Sequence, residues 1–356
     1  MSQELQRRLL APYGWEERFL LEEIVGTGAA GQVWRAKEPK PSRCVGLKFL
    51  AAHCLGDVSA LARMEGEGQT LQRLRDAGQH PNVVSVLDFA VTEDQACLVM
   101  DYIPGRTLAE VMTDGGLAFE KTVRWLASIA RACGWFHQLG VVHRDLKPQN
   151  ILIHDATGEP VIIDFSIAKD EELMTLTMTN QALGTAAYMA PEQFGRIKSG
   201  ITPAADVYAL GVILYEWLTR VRPHPGDFHH IMQRHSDEVR PAAPSALNPS
   251  VPRDLECIIL KALSHNPTDR YEDGAVMAED LEHFLAGEPV KARPASRLVH
   301  WAKQARRKPA LSAALAACLV LAGFALWSLQ NAAQLSRQRA HEARLAELLQ
   351  TQTWTR

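Results

Sequence analysis

Three short segments carry residues that could do chemistry. Gly26-Thr27-Gly28-Ala29-Ala30-Gly31-Gln32-Val33 follows an apolar run from Leu20 to Val25. Glycines at this spacing let a backbone approach phosphates closely with its N–H groups facing them, while Val33 can pack on a base. A dinucleotide-binding turn uses the same letters, but there a helix opens after the third glycine, whereas Val33-Trp34-Arg35-Ala36 reads as a second strand. Lys48 then ends Val45-Gly46-Leu47-Lys48, an apolar strand in which an unpaired ammonium is costly to bury. It needs anions: phosphates, and a carboxylate from the next helix, for which Glu67 is the first choice and Glu65 the alternative. The third segment is His143-Arg144-Asp145-Leu146-Lys147-Pro148-Gln149-Asn150, followed by Ile151-Leu152-Ile153 and, after a turn, Val161-Ile162-Ile163-Asp164-Phe165.

Taken in order, these segments resemble the protein kinase family over about Phe19 to Leu285. The resemblance implies an α+β, two-lobed fold: a strand-rich N-lobe with one main helix and a mainly helical C-lobe. It implies ATP as phosphoryl donor, Mg²⁺ as the metal with Mn²⁺ a workable substitute, and protein Ser or Thr hydroxyls as acceptors. Asp145 then looks like the residue that accepts or orients the hydroxyl proton, and Lys147 like the cation that neutralises charge on the transferred group. Asn150 and Asp164 look like the metal ligands, hard oxygens suited to Mg²⁺. The glycine loop from Val25 and Gly26 through Thr27, Gly28, Ala29, Ala30, Gly31 and Gln32 to Val33 covers the phosphates. Met100 corresponds to the gatekeeper, the Asp101 C=O and Ile103 N–H to the adenine contacts, and Leu152 with Val33 to the pair that sandwiches the base. Gly184-Thr185-Ala186-Ala187-Tyr188-Met189-Ala190-Pro191-Glu192 resembles the substrate-facing end of an activation segment, with Thr185 contacting Asp145. Asp206 resembles the anchor of the catalytic loop, and Arg270 the partner of Glu192.

Arg144 precedes the catalytic-type Asp, an arrangement that in this family awaits a phosphorylated loop. Thr175, Thr177 and Thr179 lie in that loop, and a phosphate on Thr177 or Thr179 would add about −1.5 to −2 charges facing Arg144 and Lys169. Two departures stand out: Ser166 replaces the usual glycine after Asp164-Phe165, and Ala30 replaces an aromatic at the loop tip. Neither removes a chemical group. Ser166 is the one feature favouring the alternative of a pseudokinase scaffold that binds nucleotide or partners without transfer. His224, His229, His230 and His235 fit no compact metal-ligand spacing and read as solvated surface.

The elements that must position these residues follow from pattern. Short apolar runs broken by turns extend to about Met100, with one helical stretch from Ala60 to Arg75 and a turn at Pro39-Lys40-Pro41-Ser42. Helical periods then dominate, as in Phe119 to Leu139 and Ala205 to Leu218. A net charge of −3 supplies no global basic field, which argues against nucleic acid as a partner. Six cysteines without CxxC spacing read as reduced thiols, mostly buried. The first ten residues lack an apolar run of signal-peptide length. Ala310 to Leu329 is free of charge, long enough to cross ~30 Å of hydrocarbon, flanked by Lys303, Arg306, Arg307 and Lys308, and carries Trp327 near its end. The expected layout is an N-terminal extension (1–18), a kinase domain (19–287, with lobes 19–101 and 102–287), a basic juxtamembrane segment (288–309), a single transmembrane helix (310–329) and a polar, helical extracytoplasmic tail (330–356). The kinase end would face the cytoplasm from the cell membrane, and a homodimer would allow phosphorylation in trans.

Overall fold

Alternation along the central strands decides how the first hundred residues pack. In the computed structural model, which describes residues 3–28, 31–115, 118–165, 186–195 and 200–293, strands β1 (Leu20–Thr27), β2 (Gly31–Glu38), β3 (Arg43–Leu50), β4 (Val86–Val91) and β5 (Ala96–Asp101) form an antiparallel sheet in the order β1-β2-β3-β5-β4. Val45, Leu47 and Phe49 of β3 share one face with Cys97 and Val99 of β5. Gly46, Lys48, Leu98 and Met100 belong to the other, because side chains alternate with period two. That other face meets helix α2 (Val58–Ala77), whose start is fixed by Asp57 accepting from the Ser59 and Ala60 N–H groups.

The first face is covered by a part of the chain the sequence reading left outside the domain. Helix α1 (Gln3–Leu10) and the turn after it bring Leu10, Trp15 and Phe19 onto Trp34, Val45, Leu47 and Val99, with Tyr13 5.1 Å from Trp15 and 6.4 Å from Phe49 between ring centroids. Residues before 19 therefore pack onto the outer face of the sheet. At the other end Val290 is buried and the Lys291 and Ala292 N–H groups donate to Asp280, so the start of the basic segment packs within the compact unit that runs to Arg293.

After Asp101 come a small sheet of β6 (Gly105–Thr107), β7 (Ile151–His154) and β8 (Pro160–Ile162) and the helices α3 (Leu108–Asp114) and α4 (Phe119–Gln138). Farther on lie α5 (Ala204–Thr219), α6 (Phe228–Ser236), α7 (Pro244–Leu247), α8 (Arg253–Ala262) and α9 (Gly274–Ala286). Helix α5 is apolar on all sides and buried accordingly, the post around which α4, α8 and α9 pack. The lobes are joined behind the strands: the Val84 N–H donates to the Ile162 C=O (2.9 Å), the Ile162 N–H to the Asn82 C=O (2.8 Å), and Asn82 Nδ2 to the Pro160 C=O (2.7 Å).

Two further expectations meet this architecture. His224 and His235 are buried, with ring centroids 4.8 Å apart, rather than solvated; α6 turns Ile231 and His235 inward together, one helical turn apart, and leaves His229 and His230 exposed. Among the described residues no helix is long and apolar enough to cross a membrane, and the expected span, 310–329, lies outside them.

Candidate active site

Lys48 projects from β3 into the space between the sheet and α2, where the cost of burying its ammonium is met by two carboxylates. Its Nζ lies 2.9 and 2.8 Å from the two oxygens of Glu67 and 2.5 Å from Asp164 Oδ1. Glu67, not Glu65, is the partner: Met64, Glu67, Leu71 and Leu74 recur at helical spacing on the inner face of α2, and Glu65 takes an amide donor from Gln69 instead. Burial works against the ammonium, but the Asp164 and Glu67 charges outweigh it and hold Lys48 protonated. Burial opposes the charged form of Asp164 as well, yet Lys48 keeps its carboxyl well below the usual range. Glu67 is pushed up to about 7, chiefly by burial and then by the Asp164 carboxylate against the pull of Lys48.

The catalytic-type loop is held from below. The Asp206 carboxylate, at the start of α5, accepts from the His143 N–H (2.8 Å) and the Arg144 N–H (2.9 Å) and meets His137 Nε2 at 2.9 Å. Burial alone would raise its pKa; the His137 contact reverses that and keeps it ionised. Gln193 adds a second tie, donating from Nε2 to the Arg144 C=O (2.8 Å) while Oε1 accepts from the Ala190 N–H (2.9 Å). Arg144 sits at φ 67° and Asp164 at φ 65°, left-handed positions that these ties over-determine. Within the loop Lys147 Nζ is 2.9 Å from Asp145 Oδ2, and Asn150 Nδ2 donates to the Asp145 C=O (2.9 Å) and Oδ2 (3.2 Å). Phe165 is fully buried, its ring 4.7 Å from His143 and 5.4 Å from Phe136.

The donor set fits a hard divalent cation. The nitrogen of Asn150 is spent on Asp145, which leaves its amide oxygen for a metal, and Asp164 is an ionised carboxylate. At the hinge the Asp101 N–H donates to the Ser85 C=O (3.0 Å). A Cβ at Gly46 would lie 3.2 Å from Met100 Cγ and 3.9 Å from Val33 Cγ1, so both side chains border the space above that glycine. In the glycine loop the Gly28 N–H donates to the Gly31 C=O (2.8 Å). Gly31 has a reason the phosphate argument missed: a Cβ there would stand 2.1 Å from the Phe49 carbonyl oxygen, so glycine lets β2 approach β3. Ala29, Ala30, Ser166, Lys169, Thr175, Thr177, Thr179 and Thr185 lie outside the described residues.

Arg270 and Glu192 form a fully buried pair, with Nη1 to Oε1 at 2.6 Å and Nη2 to Oε2 at 2.8 Å, and the remaining guanidinium hydrogens go to the Ser264, His265 and Ala204 carbonyls. Sequence reasoning missed His137 and Gln193. His137 follows Ala130 and Cys133 on the buried stripe of α4, a histidine where an apolar residue is expected. Gln193 had no signal beyond its place next to Glu192.

A strand-rich lobe bearing the Lys48–Glu67 pair, set on a helical lobe bearing Asp145, Asn150 and Asp164, is the two-lobed kinase architecture. The protein kinase domain family matches residues 19–283, and the chain belongs to that family. It is 34% identical over 291 residues to the serine/threonine-protein kinase PknB of Mycobacterium tuberculosis, covering 80% of this chain and 45% of that one. It is 35% identical over 268 residues to the serine/threonine-protein kinase PrkC of Bacillus subtilis (74% and 40%). Against a probable serine/threonine-protein kinase of Streptomyces coelicolor the identity is 33% over 285 residues (78% and 41%). The chain thus spans less than half the length of these curated relatives.

Proposed function

We propose that this chain is a protein Ser/Thr kinase that transfers the γ-phosphoryl group of ATP to protein hydroxyls. The observation that carries the reading is Lys48 held by Glu67 and Asp164 while Asp145, Lys147 and Asn150 stand hydrogen-bonded in one loop. Lys48 gives its ammonium to the α/β-phosphates. Asp145 takes or orients the proton of the acceptor hydroxyl as its oxygen bonds to the γ-phosphorus and the bridge to ADP breaks. Lys147 screens the charge on the moving group, and Thr185 shapes the acceptor pocket. Asn150 and Asp164 are the residues that would hold Mg²⁺ or Mn²⁺, which when bound neutralises phosphate charge. Val33 and Leu152 enclose the adenine in front of Met100, with the Asp101 C=O and Ile103 N–H on its edge.

The reading extends to regulation and place. Autophosphorylation at Thr177 or Thr179, in trans within a homodimer, orders the loop against Arg144. The uncharged run 310–329, with its basic flank, anchors the kinase domain to the cytoplasmic face of a cell membrane as a single-pass protein. The central test is transfer of labelled γ-phosphate to the chain and to a generic protein substrate, in wild type and Asp145→Asn. Transfer that vanishes in the variant is expected; none in the wild type, with ATP binding retained, overturns the kinase reading in favour of a scaffold. Recovery of intact protein in the soluble fraction of cells would sink the anchor.

A further inference from the structure

The turn that ends α5 is pinned at Arg220. This residue takes φ 63°, its N–H donates to the Glu216 C=O (2.8 Å), and its Nη1 donates to the Met112 C=O of α3 (2.5 Å). The turn so fixed brings Arg222 back over the last turn of α5, where Nε donates to Glu216 Oε1 (2.9 Å). The other oxygen of Glu216 accepts from the Tyr188 hydroxyl (2.5 Å), and the Arg222 guanidinium lies over the Tyr188 ring, 5.4 Å from its centroid. Burial, and then the charge of Glu216, push the Tyr188 hydroxyl up, so it remains a donor. Tyr188 in turn lines one small space with Arg144, Asp145 and Gln193. A single aromatic side chain thus reaches from Arg222 to the space beside Asp145.

We propose that Arg222 is a specificity-determining residue: it selects acceptor proteins that carry an Asp or Glu side chain a few residues from the phosphorylated Ser or Thr. The proposal rests on the kinase reading, because it names the acceptor of that same site.

Glu216 is closed to a substrate, since both of its oxygens are engaged and its side chain is only 19% exposed. Arg222 is open: a guanidinium carries five N–H groups, Nε serves Glu216, and the side chain is 35% exposed. Arg220, two residues away and exposed, bonds a backbone carbonyl and has no carboxylate partner among the described residues. The nearby carboxylates of α3 are already spent, Asp114 on Arg106 and Glu110 on the Thr107 N–H and hydroxyl. The two guanidinium groups therefore share one carboxylate between them, which leaves positive charge in excess next to Tyr188. A planar guanidinium edge pairs best with a carboxylate. An extended peptide advances about 3.3 Å per residue, so a side chain about three or four residues from the acceptor hydroxyl can reach past one aromatic ring.

Steady-state transfer by the full chain to Ser peptides, each with Glu, Gln or Lys at one position around the acceptor, tests the proposal. Fluorescence anisotropy of the same peptides, labelled, reads binding without transfer. Wild type should favour Glu over Gln at one or two adjacent positions by about fivefold or more in kcat/KM, a preference that shrinks as salt is raised. Arg222→Gln should bring that ratio to about one, and Arg222→Glu should turn it toward Lys. Arg220→Gln, at an exposed side chain, should lower it about twofold and keeps the test open if the Arg222 variants do not fold. A purely structural Arg222 would lower transfer to all three peptides alike and leave their ratio unchanged. No Glu preference at any position in wild type, a ratio that survives Arg222→Gln, or indifference to both salt and Arg220→Gln would overturn the proposal. Transfer absent from every peptide, with the Glu preference intact in anisotropy, would remove the kinase reading and leave Arg222 as a site for acidic segments.

Discussion

Lys48 shows how much a single side chain is asked to do. It is shared by two carboxylates, and their environments drive them apart: Asp164 is held ionised, while Glu67 is pushed up to about 7. Glu67→Gln should preserve the shape of the site but free Lys48 to lean on Asp164, lowering kcat/KM by about 10–100-fold, as steady-state transfer assays would read. The pH dependence of stability follows from the same shift. Glu67 is raised from 4.5 to about 7 on folding, so its contribution is present below pH 4.5 and lost as pH rises through 7. Urea unfolding at pH 5 and pH 8 should therefore show a smaller drop for Glu67→Gln than for wild type. The choice between Glu65 and Glu67 was open in the motif alone, yet it was written in the helix: only Glu67 shares the stripe of Met64, Leu71 and Leu74.

Elements, not motifs, supply the ties that hold the loop. Gln193 links the turn after Ala190 to the Arg144 carbonyl, so Gln193→Ala should lower kcat by about tenfold with little change in KM for ATP, and Gln193→Glu should fail to rescue it because the donor is gone. A stability effect alone would move Tm without splitting kcat from KM. Helix α6 illustrates why part of the chain was illegible. Its histidines are close in sequence, but α6 sorts them by face, and burial against Phe194 and Tyr208 lowers His235 to about 3, while His224 falls to about 4. Both are neutral when folded and ordinary, near 6.5, when unfolded. Their contribution is therefore present above pH 6.5 and lost as pH falls toward 3–4, at about 1.4 kcal/mol per pH unit for each. Between pH 6.5 and 4.5 Glu67 offsets part of this loss, and His235→Gln should take about 1.4 kcal/mol per pH unit off the net slope in denaturant titrations.

At the scale of the molecule, the family was legible in the order of the motifs, and the packing of the residues before them was not. The order of Gly26, Lys48, Asp145 and Asp164 is a pattern of residue types, visible without coordinates, and the family match begins at residue 19, where that pattern begins. What lies before it has no motif, only Leu5, Leu9, Leu10, Tyr13 and Trp15 among mostly polar residues. Their role appears when β3 and β5 are paired, because Val45, Leu47 and Val99 then present an apolar face on which Leu10, Trp15 and Phe19 pack. Arg18 fastens the join, with Glu38 at 2.9 Å and Asp88 at 2.5 Å. If this extension is part of the N-lobe, Leu10→Ala should cost about 2–5 kcal/mol, as for other large-to-small changes in a core, though Leu10 lies outside the family match. Deleting residues 1–15 should cost more, lowering the Tm of the full chain and loosening the sheet that aims Lys48 at Glu67, so that phosphoryl transfer falls with it. An unchanged Tm in the deleted chain would show that the outer face of the sheet tolerates water and that the lobe starts at residue 19 after all.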